Sequence, residues 1–135
     1  NMAVQVLSGH GWHPGVIGIV AGRIKEKTGK PAVVIALDED QGKGSGRSIS
    51  GVDLGAAIIA AREAGLLMAG GGHAMAAGLT IAPARLADFA EFLDTRLARD
   101  VERARADQAM LLDLALAPGG LTPELVETLE AAGPY

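Results

Sequence analysis

The sequence predicts an α/β protein: a mixed sheet of about five strands with helices packed on it, followed by a short C-terminal segment leading out of the domain. Three observations predict it. Short apolar runs alternate with longer runs of helical period, glycine and proline punctuate the joins, and 49% of the 135 residues are apolar, enough to bury a core.

Val4 to Ser8 alternates and reads as a first strand, followed by the turn-like Gly9-His10-Gly11-Trp12-His13-Pro14. A helix follows, with Pro14 suited to its first turn. Val16, Ile17, Val20 and Ile24 recur at helical spacing, and Lys25 to Lys30 with Gly29 give it a basic end and a stop. Ala32 to Leu37 is a continuous apolar run, the pattern of a strand covered on both faces. The acidic turn Asp38-Glu39-Asp40 leads into a glycine-rich strand ending near Ile49. Asp53 then caps a helix in which Leu54, Ala57, Ile58 and Ala61 share a face, and Gly65 ends it. After Gly70-Gly71-Gly72-His73, Ala74 to Ala77 reads as a helical turn and Leu79 to Ile81 as a strand. Pro83 opens the longest helix, to about Asp107, with Leu86, Phe89, Leu93, Leu97 and Val101 as its apolar stripe. Residues 110–116 read as another strand. Thr122 to Ala132 reads as a short helix with Thr122 as cap and Pro123 at its first position. The chain stops at the turn-like Gly133-Pro134-Tyr135, the expectation for a piece of a longer protein.

Composition narrows the function classes. No apolar run approaches the roughly 20 residues of a membrane span, and no signal peptide opens the chain, so a cytoplasmic protein without membrane contact is expected. The absence of cysteine excludes disulfides and thiolate metal sites. Four aromatic residues are too few for a base-stacking platform. All 12 Lys and Arg lie in residues 1–107 with 12 of the 16 acids, so that part is neutral and the acidic excess sits in the tail. A neutral body gathers phosphates through a directed local site, not a broad basic field.

Two glycine-built segments offer such a site: Gly42-Lys43-Gly44-Ser45-Gly46-Arg47-Ser48 and Gly70-Gly71-Gly72-His73. Glycines let backbone N–H groups close around phosphate oxygens, and Ser45, Arg47, Ser48 and His73 are donors. Glycines equally mark tight turns and close strand contacts. On the residues alone, Arg47 is evenly balanced between a phosphate fork and a surface arginine of a glycine-rich edge strand, and a lone His73 reads as structural. In a strand, Ser45 and Arg47 share one face and Ser48 takes the other. The two segments are expected side by side in one exposed cleft, since neither alone holds enough donors for successive phosphates.

Other chemistry-bearing residues read as bland. His10 and His13 lack a neighbouring aspartate; with Trp12 they form a donor-rich turn that could touch nucleic acid, Trp12 is expected rather to pack against the body or another domain of the same polypeptide, and all three are left out of the site. Asp38 to Asp40 lacks the spaced partners of a cation site, and Arg23, Lys25, Lys27 and Lys30 make a solvated helix face. No catalytic or metal-ligating residue is therefore assigned.

Three segments together carry a resemblance: Trp12-His13-Pro14-Gly15-Val16-Ile17-Gly18-Ile19-Val20-Ala21, Gly44-Ser45-Gly46-Arg47-Ser48 followed by Asp53-Leu54, and Gly70-Gly71-Gly72-His73-Ala74-Met75-Ala76-Ala77-Gly78. They resemble the DHH-associated domain of the first type, of the DHH phosphoesterase superfamily. The last segment indicates the superfamily, and the first two narrow it to the RecJ family of bacterial single-stranded-DNA exonucleases. The resemblance implies a division of labour. A preceding DHH domain holds manganese or magnesium and cleaves DNA from the 5′ end, in repair and recombination. Residues 1–107 hold the strand's phosphates through Ser45, Gly46, Arg47, Ser48, Gly70, Gly71, Gly72 and His73. Residues 108–135 begin the connection to an oligonucleotide-binding domain. The partners it implies are single-stranded DNA and those two domains of the same polypeptide, and this chain alone is expected to be inactive and without a cofactor. Two alternatives stay open: the substrate domain of another DHH phosphoesterase acting on short RNA, cyclic dinucleotides or pyrophosphate, and a stand-alone nucleotide- or anion-binding module.

Overall fold

The structure, a computed structural model, describes residues 2–116. Strand β1 (Gln5–His10), helix α1 (Ile17–Thr28) and strand β2 (Ala32–Leu37) form a unit whose two strands pair in parallel. Strand β3 (Gly42–Arg47) returns antiparallel to β2. Helix α2 (Leu54–Glu63) leads to a hairpin of β4 (Ala69–Gly72) and β5 (Ala76–Ile81), and a single 3-10 turn at Pro83–Arg85 opens helix α3 (Leu86–Leu116). The sheet order is β1-β2-β3-β5-β4, so β5 inserts between β3 and β4.

Helices cover both faces of the sheet unequally. On one face, Val33 and Ile35 of β2 and Ala77, Leu79 and Ile81 of β5 pack with Leu54, Ala57, Ile58 and Ala61 of α2 and with Phe89, Leu93, Leu97 and Val101 of α3. On the other, Ile17 and Ala21 of α1 pack on Val34 and Ala36 of β2. The continuous apolar run of β2 thus serves two cores, as a doubly covered strand must. The glycines of β3 point to the larger core: a Cβ on Gly42 would stand 2.7 Å from Ile35, on Gly44 2.8 Å from Leu79, and on Gly46 2.7 Å from Leu54. Side chains of β2, β5 and α2 fill the space that β3 leaves.

Several expectations are corrected. Ala76 and Ala77 belong to β5, not to a helical turn, because pairing of Ala76 with Arg47 and Ala77 with Gly46 outweighs alanine's helix preference. Residues 110–116 continue α3, where the sequence suggests a strand. Met110-Leu111-Leu112-Asp113-Leu114-Ala115-Leu116 has no β-branched residue, and Leu, Met and Ala extend a helix already begun. The helix therefore passes through position 107 unbroken. Helix α1 starts at Ile17, later than Pro14, since Val16 N donates to His13 O at 2.9 Å and closes a separate turn. The helix read at Thr122 to Ala132 lies outside the described residues.

Candidate nucleic-acid interface

Alternation along β3 sorts its residues by chemistry. Gly42, Gly44 and Gly46 face the larger core, and Lys43, Ser45 and Arg47 face the side of α1. Arg47 is held there. Its Nη1 donates to Ser45 Oγ at 2.9 Å and to Gly46 O at 2.8 Å. These two bonds occupy both Nη1 protons, and among the described residues Nε and Nη2 have no acceptor. The guanidinium lies against α1 at Gly18, where a Cβ would stand 2.7 Å from Nη2 and 3.2 Å from Ser45 Oγ.

On its face of the sheet, helix α1 lies over β2 and β3. Beside it opens a groove of about 520 Å³ lined by Pro14 and Ile17 on one wall, Lys43 and Ser45 along β3, and Gly71, Gly78 and Thr80 on the floor of β4 and β5. Gly71 pairs with Gly78, and Gly78 with Ser45, so one row across three strands carries a single side chain beyond the backbone. A Cβ on Gly71 would meet nothing within 4 Å, and one on Gly78 only Gly44 O at 3.8 Å.

The two glycine segments are not side by side, because β5 lies between them. Two strand spacings, about 10 Å, separate them. The sheet nevertheless brings their functional ends near one another. Arg47 pairs with Ala76 on one side of β5, and His73 N donates to Ala76 O at 2.7 Å on the other. His73 is exposed at the hairpin turn. The backbone of the first segment belongs to a strand paired on both sides, so its N–H groups serve the ladders. The second segment is an edge strand. Bonded pairs alternate in an antiparallel ladder, so Gly71 bonds to Gly78 and the N–H groups of Gly70 and Gly72 point off the free edge. On that edge Arg62 Nη1 donates to Gly70 O at 3.0 Å.

Ser48 stands apart from the surface. It is fully buried, and its Oγ donates to Val52 O at 2.6 Å. Gly46 and Gly70 likewise turn their α-carbons to the larger core, Gly70 against Ile58. His13 accepts from Gly15 N at 2.9 Å through Nδ1, a local turn contact, and Trp12 lies across Gly9 as a packing residue, 41% exposed. At the β2–β3 turn the carboxyl of Asp38 is held below its ordinary value by the backbone N–H groups of Gln41 and Asp40, with a smaller contribution from Lys43. Among the described residues no group of three His, Asp or Glu side chains is placed to hold a metal ion, and no helix is long and apolar enough to cross a membrane. The described residues therefore offer no ligand set for a resident metal.

The sequence reading missed Lys43, Gly18 and the Gly78–Thr80 side of the groove. The signal for Lys43 was present, since it stands two and four residues before Ser45 and Arg47 and so on their face. Gly18 and Gly78 required tertiary contacts to be found.

Comparison with known proteins agrees with this architecture. Residues 1–99 match the DHHA1 domain family. The single-stranded-DNA-specific exonuclease RecJ of Dickeya dadantii is 37% identical over 127 residues, covering 92% of this chain and 22% of the relative. The chain thus spans less than a quarter of that relative's length. The crystal structure of RecJ from Thermus thermophilus in complex with Mg2+ superposes with a TM-score of 0.65 at 35% identity, over 73% of this chain and 15% of that one. The C-Ala domain of Aquifex aeolicus alanyl-tRNA synthetase shares the fold, with a TM-score of 0.59 at 19% identity over 70% of this chain and 93% of that domain. With its five-stranded mixed sheet, its glycine-rich β3 and its β4–β5 hairpin, this chain belongs to the DHHA1 domain family, in the form found in RecJ.

Proposed function

We propose that this chain is the strand-holding domain of a RecJ-type single-stranded-DNA exonuclease, and that it grips a phosphodiester through Arg47. The observation that supports this reading best is the pose of Arg47. Two hydrogen bonds hold the guanidinium, one of them to Ser45, which lines an open groove, and Nε and Nη2 remain to donate. A pre-positioned planar fork suits a phosphate, since little side-chain entropy is left to lose on binding. Ser45 and Lys43 continue donors along the same face, and His73 adds an exposed imidazole across Ala76. Ser48 acts in the fold, and the binding set becomes Lys43, Ser45, Arg47, Gly71 and His73, with the free N–H groups of Gly70 and Gly72 at the edge. Backbone contacts of this kind are blind to base sequence, as an exonuclease moving along a strand requires.

Hydrolysis belongs to the rest of the full-length protein. RecJ structures contain Mg2+ or manganese, and we assign the metal of this protein to a DHH domain preceding this chain, with an oligonucleotide-binding domain following it. The working compartment is the cytoplasm, where repair and recombination present single strands.

The test is strand binding and turnover by the full-length protein with Arg47→Ala and Arg47→Lys. A charge-assisted bond contributes roughly 1.5–3 kcal/mol, so Arg47→Ala is expected to weaken strand binding about tenfold or more, with Lys a poor substitute for the fork. Wild-type behaviour of both variants would remove Arg47 from the site. In the same assays this chain alone, supplied with manganese or magnesium, is expected to release no nucleotides. Stronger competition by a cyclic dinucleotide or a short RNA than by single-stranded DNA would move the assignment to another DHH phosphoesterase.

A further inference from the structure

We propose that Gly18, a helix residue with no side chain to offer a ligand, is a positioning residue for Arg47: the missing side chain is the seat in which the guanidinium lies. The inference rests on the reading of Arg47 as the phosphate fork. Gly18 is the second residue of α1, in its first turn, where alanine suits the helix at least as well as glycine, and neither its backbone angle nor its capping position calls for glycine. What calls for it is steric. A Cβ there would stand 2.7 Å from Arg47 Nη2, 3.2 Å from Ser45 Oγ and 3.5 Å from Arg47 Cζ, and the three nearest atoms all belong to the phosphate-binding pair.

The direction of the resulting movement follows from which partner is soft. Gly18 is fixed in a helix packed through Ile17 and Ala21, whereas the guanidinium is the far end of a flexible side chain. A methyl group at position 18 therefore leaves the fold in place and lifts Arg47. The guanidinium then loses its bonds to Ser45 Oγ and Gly46 O, and the fork is no longer held beside Ser45. Stability and binding are thereby separated: the substitution favours the helix and disfavours the strand. Gly22, four residues further along the same helix, is the control, because a Cβ there would meet nothing within 4 Å.

The experiment uses the full-length protein without divalent metal, so that no cleavage occurs, and measures binding of a fluorescent oligothymidylate together with thermal unfolding. Gly18→Ala, Gly18→Ser, Gly22→Ala, Arg47→Ala and the double variant Gly18→Ala with Arg47→Ala are compared. Gly18→Ala and Gly18→Ser are expected to melt no lower than wild type yet to bind about five- to tenfold more weakly, approaching Arg47→Ala. The double variant is expected to bind no more weakly than Arg47→Ala alone, since the seat has no function without its occupant. Gly22→Ala is expected to bind as wild type. Wild-type binding by both Gly18 variants, or a double variant whose loss multiplies the two single losses, would overturn the role of Gly18 and leave Arg47 in place. Wild-type binding by Arg47→Ala would overturn the phosphate reading itself, and this inference with it.

Discussion

At position 48 a hydroxyl of the kind that could donate to a phosphate is turned into the fold. Ser48 Oγ donates to Val52 O at 2.6 Å from a fully buried side chain, and Ser48 N donates to Met75 O at 2.9 Å, so the residue ties the loop before α2 to the tip of the β4–β5 hairpin. Ser48→Ala leaves the Val52 carbonyl without that donor, and a loss of about 1–3 kcal/mol is expected by urea unfolding. Strand affinity of the folded variant should equal that of wild type. A folded Ser48→Ala protein with a stability unchanged and a weakened grip on DNA would return Ser48 to the binding set. The sequence could not separate Ser48 from Ser45, because both are small donors in one run. Alternation placed Ser48 away from Arg47 correctly, but only packing shows that its side of the chain is sealed. Arg47 was legible as a donor among glycines, whereas its packing against Gly18, a residue 29 positions earlier, was not.

Elements with their own local signals were read from the sequence, and those that depend on a partner were not. Asp53 caps α2 by accepting from Ala56 N at 3.0 Å, Gly29 ends α1 with φ 69°, and β2 shows its two buried faces as an unbroken apolar run. Strand β4 has no such signal, since Ala69-Gly70-Gly71-Gly72 is a strand only because β5 pairs with it. Its place is fixed from behind by α2. A Cβ on Gly55 would stand 2.6 Å from the His73 carbonyl oxygen and 3.1 Å from the Gly72 carbonyl carbon, so the helix start and the hairpin turn touch through backbone. Leu54 N also donates to Ala74 O at 3.0 Å. Gly55→Ala therefore has no soft neighbour to displace. Overpacking of this kind costs about 1–3 kcal/mol, and the helix gain from alanine offsets only part of it. The expected result is a lower melting temperature, with amide shifts concentrated in residues 70–76. Stabilisation by Gly55→Ala with unshifted hairpin amides would mean that α2 does not set the position of the hairpin.

For the whole molecule, the proposed strand-holding role turns on charge. Residues 1–107 contain 12 basic and 12 acidic residues, so no long-range field draws DNA to this domain, and the acidic excess lies beyond it. What the fold supplies is convergence: of the described residues lining the groove only Lys43 is charged, and Arg47 adjoins it through Ser45 on the same face of β3. A sheet covered by α1 on one half and bare over Gly71 and Gly78 on the other leaves a phosphate backbone room to approach those two cations closely. Counterion release makes that arrangement measurable. Each phosphate neutralised on a single strand contributes about −0.7 to the slope of log K against log salt. Replacing both Lys43 and Arg47 by alanine in the full-length protein is therefore expected to make the slope shallower by about 1.4, the contribution of two phosphates. Either single replacement should account for about half of it. The comparison is between variants of one protein, so cations in other domains contribute equally to both slopes and cancel. A slope unchanged by the double replacement would mean that the strand does not enter this groove. A change several times larger would mean that the two residues act through a wider basic surface, which the even charge balance of residues 1–107 argues against.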